Sequence, residues 1–273
     1  MYEVTCYTCH RGDLRPKSIP SLAQQYGPPA AEDPNEVETS EDVPKGPSVD
    51  EVLNKYVGAL GGADNLTKIT SFIGKGTYEG YDTFHHKVPV EVYAKAPNER
   101  ATVVHTSSGD SITVFDGRAG WIAAADQLTR VLAMTGGDLN GAKLDGALSF
   151  PGQTKQTLTD WRSDLPTVSI DGRNVQVIQG TSDGRTPVKL YFDTSSGLLV
   201  RLLRYTETAV GFNPTQIDYS AYREISGVKL PFRWTVTWTD GQSSIELSEI
   251  QVNAAIDAAR FAKPVPQPPK TNP

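Results

Sequence analysis

The sequence predicts a mainly β chain of the α+β class: an antiparallel meander of about ten strands with a few helices, preceded by a short segment holding both cysteines and by an acidic linker. Three observations carry this. Dipeptides that favour tight turns fall at Asp116-Gly117, Asp171-Gly172, Asp183-Gly184, Ser196-Gly197, Ser226-Gly227 and Asp240-Gly241. Between most of them apolar and polar residues alternate with period two, the pattern of a strand with one buried face. A strong amphipathic helix signal occurs once, directly after a proline-rich stretch.

In chain order, residues 1–27 form the cysteine-bearing segment. Residues 28–47, PPAAEDPNEVETSEDVPKGP, hold five prolines and six acidic residues against one lysine. Such a stretch buries too little apolar surface to offset its ordering entropy, so it reads as a disordered linker. It carries -5 of the net charge of -6; with +1 on residues 1–27, residues 48–273 sit at -2. Nothing in that balance favours nucleic acid or an anionic membrane surface. The domain proper is expected over 48–264. Ser48 and Glu51 make a capping box, and Val49, Val52, Leu53, Tyr56, Val57 and Leu60 follow helical spacing until Gly61-Gly62 stops it. A short further helical turn is expected within Ala63 to Ile69. From Ser71 onward strands dominate. The row Val228, Leu230, Phe232, Trp234, Val236 and Trp238 alternates with polar residues, Val188, Leu190 and Phe192 form a similar row, and Val88 to Lys95 alternates likewise. Thr135 to Phe150 is weakly helical and interrupted by glycines, and 265–273 is a proline-rich tail.

The sequence CYTCH, Cys6 to His10, places the chain's two cysteines three apart with a histidine next to them. That spacing matches c-type haem attachment: Cys6 and Cys9 would form thioethers with one covalent haem c, and His10 would be the proximal iron ligand. Two other readings fit the residues. A redox disulfide expects a βαβ context, and a structural zinc site would need ligands from distant His85, His86 or His105. No run approaches the ~20 apolar residues of a spanning helix, and the first 30 residues lack a signal-peptide pattern. Because c-type haem is attached after export, the expectation is that Met1 is a fragment start.

The stretch VTCYTCHRG, Val4 to Gly12, with Pro16 beyond it, resembles the last haem-binding segment of the photosynthetic reaction-centre cytochrome c subunit family. The resemblance implies an exported electron-transfer protein with a redox partner, and it assigns Cys6, Cys9 and His10 as above. The helix that supplies an axial methionine in that family has no counterpart upstream of Cys6. The rest, Val49 to Pro264, with its leading helix, V-K-L-P-F at Val228 to Phe232 and the closing Asn253, Ile256, Phe261 and Pro264, resembles LolA/LolB-like outer-membrane lipoprotein-sorting domains. That implies a curved antiparallel half-barrel whose concave side, covered by helices, takes an acyl chain or lipoprotein, and an exported or periplasmic location. The groove residues would then be Val188, Leu190, Phe192, Leu230, Phe232, Trp234, Val236 and Trp238.

No enzymatic signature appears. Asp82, His85 and His86 could ligate a metal but fit a polar turn. His105 near Ser107, Ser108 and Asp110 lacks a nucleophile elbow, and Trp121 and Trp161 fit core positions.

Overall fold

Pro47 delivers Ser48 in an extended conformation, and the cap closes reciprocally. Glu51 N donates to Ser48 Oγ at 3.3 Å, while Ser48 N donates to Glu51 Oε2 at 2.7 Å. Helix α1 (Val49–Ala59) follows, burying Val52, Leu53 and Tyr56, and a short α2 (Ala63–Leu66) comes next. This computed structural model describes residues 46–208, 211–239 and 241–266. Cys6, Cys9, His10, segment 1–27 and nearly all of the linker lie outside those residues.

Fourteen strands follow among the described residues. They are β1 (Ser71–Gly80), β2 (Val88–Lys95), β3 (Glu99–Thr106), β4 (Gly109–Phe115), β5 (Gly120–Ala124), β6 (Val131–Ala133), β7 (Thr159–Arg162), β8 (Val168–Ile170), β9 (Arg173–Ser182), β10 (Thr186–Asp193), β11 (Leu199–Thr208), β12 (Gly211–Ile225), β13 (Val228–Trp238) and β14 (Gly241–Val252). Between β6 and β7 lie α3 (Gly136–Leu148) and α4 (Thr154–Thr157). The sequence suggests about ten strands; the surplus is β5 to β8, each of five residues or fewer and too short to show a period. Several hairpins turn where expected: Asp171-Gly172, Asp183-Gly184 and Ser226-Gly227 all have φ between 48° and 77°, the paired left-handed conformations of a two-residue hairpin loop.

All strand pairings are antiparallel, in the order β6-β5-β4-β3-β2-β1-β14-β13-β12-β11-β10-β9-β7, with β8 pairing β9. The first and last strands thus meet in mid-sheet, Phe72 opposite Val252 and Gly80 opposite Ser243, and the sheet stays unclosed between β6 and β7. The helices cover one face, the inner one. There Leu53 and Tyr56 share a cluster with Ile178, Val188, Leu190, Phe192 and Leu202, and Tyr56 meets Phe192 edge-on at 5.1 Å between ring centroids. A second inner cluster joins Phe72, Val92, Phe232 and Leu247 to Phe150. Part of the outer face is covered as well. Tyr93, Ala101, Val103 and Val114 pack against Phe261 of the turn Ala258–Phe261, and Arg260 lies over the Tyr93 ring at 4.9 Å. No helix among the described residues is long and apolar enough to cross a membrane.

Candidate functional site

Helix α1 is anchored toward β10 and β13: Lys55 Nζ donates to Thr194 O at 2.6 Å, and Lys229 N donates to Leu60 O at 2.8 Å. It does not cover all of the inner face. Between α1, the end of α3 and β12 to β14 lies a cavity of about 120 Å³; with its open mouth the space between the lining atoms reaches about 910 Å³. Tyr56 and Leu60 wall one side and Leu148, Pro151 and Thr154 another. Strands supply Phe72, Leu199, Ile217, Leu230, Val236, Leu247 and Ile250. Most of the lining is hydrocarbon, as expected of a site for apolar ligands.

The two rows singled out in the sequence divide. Leu230, Trp234 and Val236 line the cavity. Val188, Leu190 and Phe192, at most 2% exposed, lie beneath α1 as filled core, because Leu53 and Tyr56 occupy the space above them. Phe232 is core in the second cluster, and Trp238, at 37% exposure, stands at the end of β13. The helix therefore plugs one half of the predicted groove and leaves the other open.

One end of the cavity is polar. Arg100 enters it from β3, its register partner on β2 being Ala94 of the inner cluster. The guanidinium donates from Nη1 to Ser149 Oγ at 2.7 Å and lies 5.6 Å from the centroid of the Trp234 ring. Ser149 Oγ in turn donates to Asp145 O at 2.8 Å, and Asp145 Oδ2 receives Arg204 Nη2 at 3.4 Å. Burial pushes the Arg100 pKa down, with nearby Asp145 opposing; arginine nonetheless remains a cation in proteins. Among the described residues Ser149 is its one hydrogen-bond partner, and it forms no ion pair. Glycines bring α3 this close: a Cβ on Gly146 would lie 2.1 Å from Asn98 O, and one on Gly141 would collide with the Arg204 guanidinium.

Three tyrosines line the cavity too. Tyr222 donates to Leu199 O at 2.8 Å. Burial raises the pKa of Tyr56, Tyr219 and Tyr222, so all three stay neutral. Tyr219 and Tyr222 have opposite parity along β12, yet both reach the cavity, because Ala221 between them adopts φ 52°. Neither this reversal nor Arg100 shows in the sequence pattern.

The other candidates lie elsewhere. Asp82 receives the Tyr78 hydroxyl at 2.6 Å beside the turn Tyr81–Thr83, and His85 and His86 are exposed. His105 Nδ1 is 2.9 Å from Asp110 Oδ1, and its Nε2 is 3.6 Å from Glu91 Oε2. Among the described residues neither Ser107 nor Ser108 bonds to it, and no group of three His, Cys, Asp or Glu side chains gathers to hold a metal.

Comparison with known proteins finds the same fold among solved structures. A LolA superfamily protein of Nitrosomonas europaea is similar at TM-score 0.53 and 15% identity, over 80% of this chain and 99% of that one. A domain of Vibrio parahaemolyticus described as an outer-membrane lipoprotein-sorting protein gives 0.50 and 10%, over 78% and 95%. A DUF1329 family protein of Desulfovibrio piger gives 0.51 and 11%, over 78% and 97%. No family model matches the chain, and no curated protein does.

Proposed function

We propose that the domain of residues 48–264 is a carrier-type binding protein that holds the acyl chain of a lipid or lipoprotein on its inner face. The observation that carries this is the apolar cavity left open between α1, α3 and β12 to β14. Its residues offer burial and orientation to an apolar chain. The shared LolA-like fold supports the reading and an exported or periplasmic setting for it. Native mass spectrometry of the purified protein should reveal co-purified lipid, and a fluorescent acyl probe should bind. Val236→Gln puts a polar group into the lining without emptying the core, so probe affinity should fall about tenfold, the cost of an unpaired amide against hydrocarbon. The melting temperature should fall by only a few degrees. Absence of lipid together with absence of probe binding would overturn the reading.

The CYTCH motif supports a second proposal: that Cys6 and Cys9 carry one haem c with His10 on the iron, for electron exchange with a redox partner protein. Co-expression with a c-type haem attachment system should add the mass of one haem to the chain. A Cys6→Ala, Cys9→Ala variant should lose it, and an unmodified wild-type chain would refute the assignment.

A further inference from the structure

Building on the acyl-binding reading, we infer that the cavity selects amphiphiles with a single negative charge next to the chain, their anionic oxygens received by Arg100. The argument is one of unmatched donors and unmatched charge. A guanidinium has five N–H donors in a fixed fork; among the described residues one bond, to Ser149 Oγ, is made, and the side chain lines the cavity. That fork suits the paired oxygens of a carboxylate or phosphate.

The charges around it set the number. Asp145 also lines the cavity but is engaged by Arg204, so the pole of Arg100, Arg204 and Asp145 carries one net positive charge; Lys229, the other charged residue of the lining, is exposed to solvent on β13. One anion neutralises it, and a second would face Asp145 at close quarters. Tyr219 offers a neutral hydroxyl at the same end. From this pole Trp234, Leu230 and Val236 lead along an apolar wall fit for the chain. An ion pair enclosed by hydrocarbon is stronger than one in water, which makes the headgroup a determinant of selectivity.

The test is displacement of the neutral probe N-phenyl-1-naphthylamine by ligands of one chain length: hexadecanoate, hexadecanol, lysophosphatidylglycerol and lysophosphatidylcholine, each palmitoyl or hexadecyl. Wild-type protein should bind at least one of the two monoanions about ten- to a hundredfold more tightly than hexadecanol, the worth of a charge-assisted hydrogen bond. Hexadecanoate alone would mark free fatty acid as the source, and lysophosphatidylglycerol a phosphodiester lipid. Arg100→Gln should abolish the preference, weakening the monoanions about ten- to a hundredfold more than hexadecanol; Ser149→Ala, which keeps the cation, should retain it. Equal affinities across the wild-type series would overturn the inference, and that comparison needs no variant. So would an equal loss for all ligands in Arg100→Gln. Failure of the probe and every ligand to bind would instead overturn the acyl-binding reading itself.

Discussion

Replacing glycine by alanine inside a helix ordinarily stabilises it, by about 1 kcal/mol. Gly146 should reverse that sign. It lies in α3, where a Cβ would stand 2.1 Å from Asn98 O and 3.1 Å from Asn98 C. The obstacle is backbone in the β2–β3 turn, so no side chain can swing aside, and ordinary contact requires the helix to retreat by more than 1 Å. Overpacking of this kind costs about 1–3 kcal/mol. Subtracting the propensity gain leaves Gly146→Ala destabilised by up to about 2 kcal/mol. At roughly 2–4 °C per kcal/mol for a domain of this size, the melting temperature should drop by up to about 8 °C. Gly58 in α1 is the matched control: nothing lies within 4 Å of its added Cβ. Gly58→Ala should raise the melting temperature by about 1–2 °C, toward the low end because the site is in the last turn. Thermal melts by circular dichroism decide the point; a Gly146→Ala protein that melts at or above wild type would show that α3 is not held by this contact.

Asp193 Oδ1 accepts from the backbone and hydroxyl of both Ser195 and Ser196, at 2.6 to 3.0 Å, and the hydroxyl of Ser195 and backbone of Ser196 lead in holding its pKa down to about 2. A depressed carboxylate stabilises the fold above the unfolded-state value, here 3.8, and that contribution is lost as pH falls toward 2. Asp193→Asn should therefore cost on the order of 1 kcal/mol at pH 7, solvent screening included, with the gap in melting temperature closing between pH 4 and 2; a gap independent of pH would refute this. For a haem attached at Cys6 and Cys9, Met134 should not become the sixth iron ligand. It is 8% exposed, and its sulfur would lie 2.6 Å from a Cβ on Gly120. A methionine-to-iron charge-transfer band that disappears in Met134→Ala would contradict that packing.

Elements whose residues decide their own geometry were legible in the sequence. Ser48 and Glu51 cap α1 from within four residues, and Val228 to Phe232 alternate because β13 buries one face there. Arg100 was not legible, for a reason visible in β3. Its inner positions are Arg100, Thr102 and Val104, and its outer ones Ala101, Val103 and His105, where Phe261 covers Ala101 and Val103. With apolar residues on both faces, parity does not mark which side faces the cavity. The groove was half legible for a similar reason. Val188 to Phe192 and Val236 have the same strand signature, and only the placement of α1 makes the first row core and the second a wall. The glycines of α3 look like helix breakers until Asn98 and Arg204 are seen against them.

The meeting of β1 and β14 in the middle of the sheet decides where the chain can be interrupted. Asn253 donates to Lys68 O at 3.0 Å and accepts from Thr70 N at 2.9 Å, fastening segments more than 180 residues apart. The edges of the sheet are instead formed by strands from the centre of the chain, so a break between the exposed Pro166 and Thr167 falls where few ladders cross. One product would hold the β1 to β6 meander, both long helices and β7, the other β8 to β14, and the long β1–β14 ladder, with the short one between β7 and β9, would template their reunion. Because Arg100 and Ser149 belong to the first piece and Tyr219, Trp234 and Val236 to the second, neither fragment alone has the cavity, and return of probe binding on mixing would report reassembly.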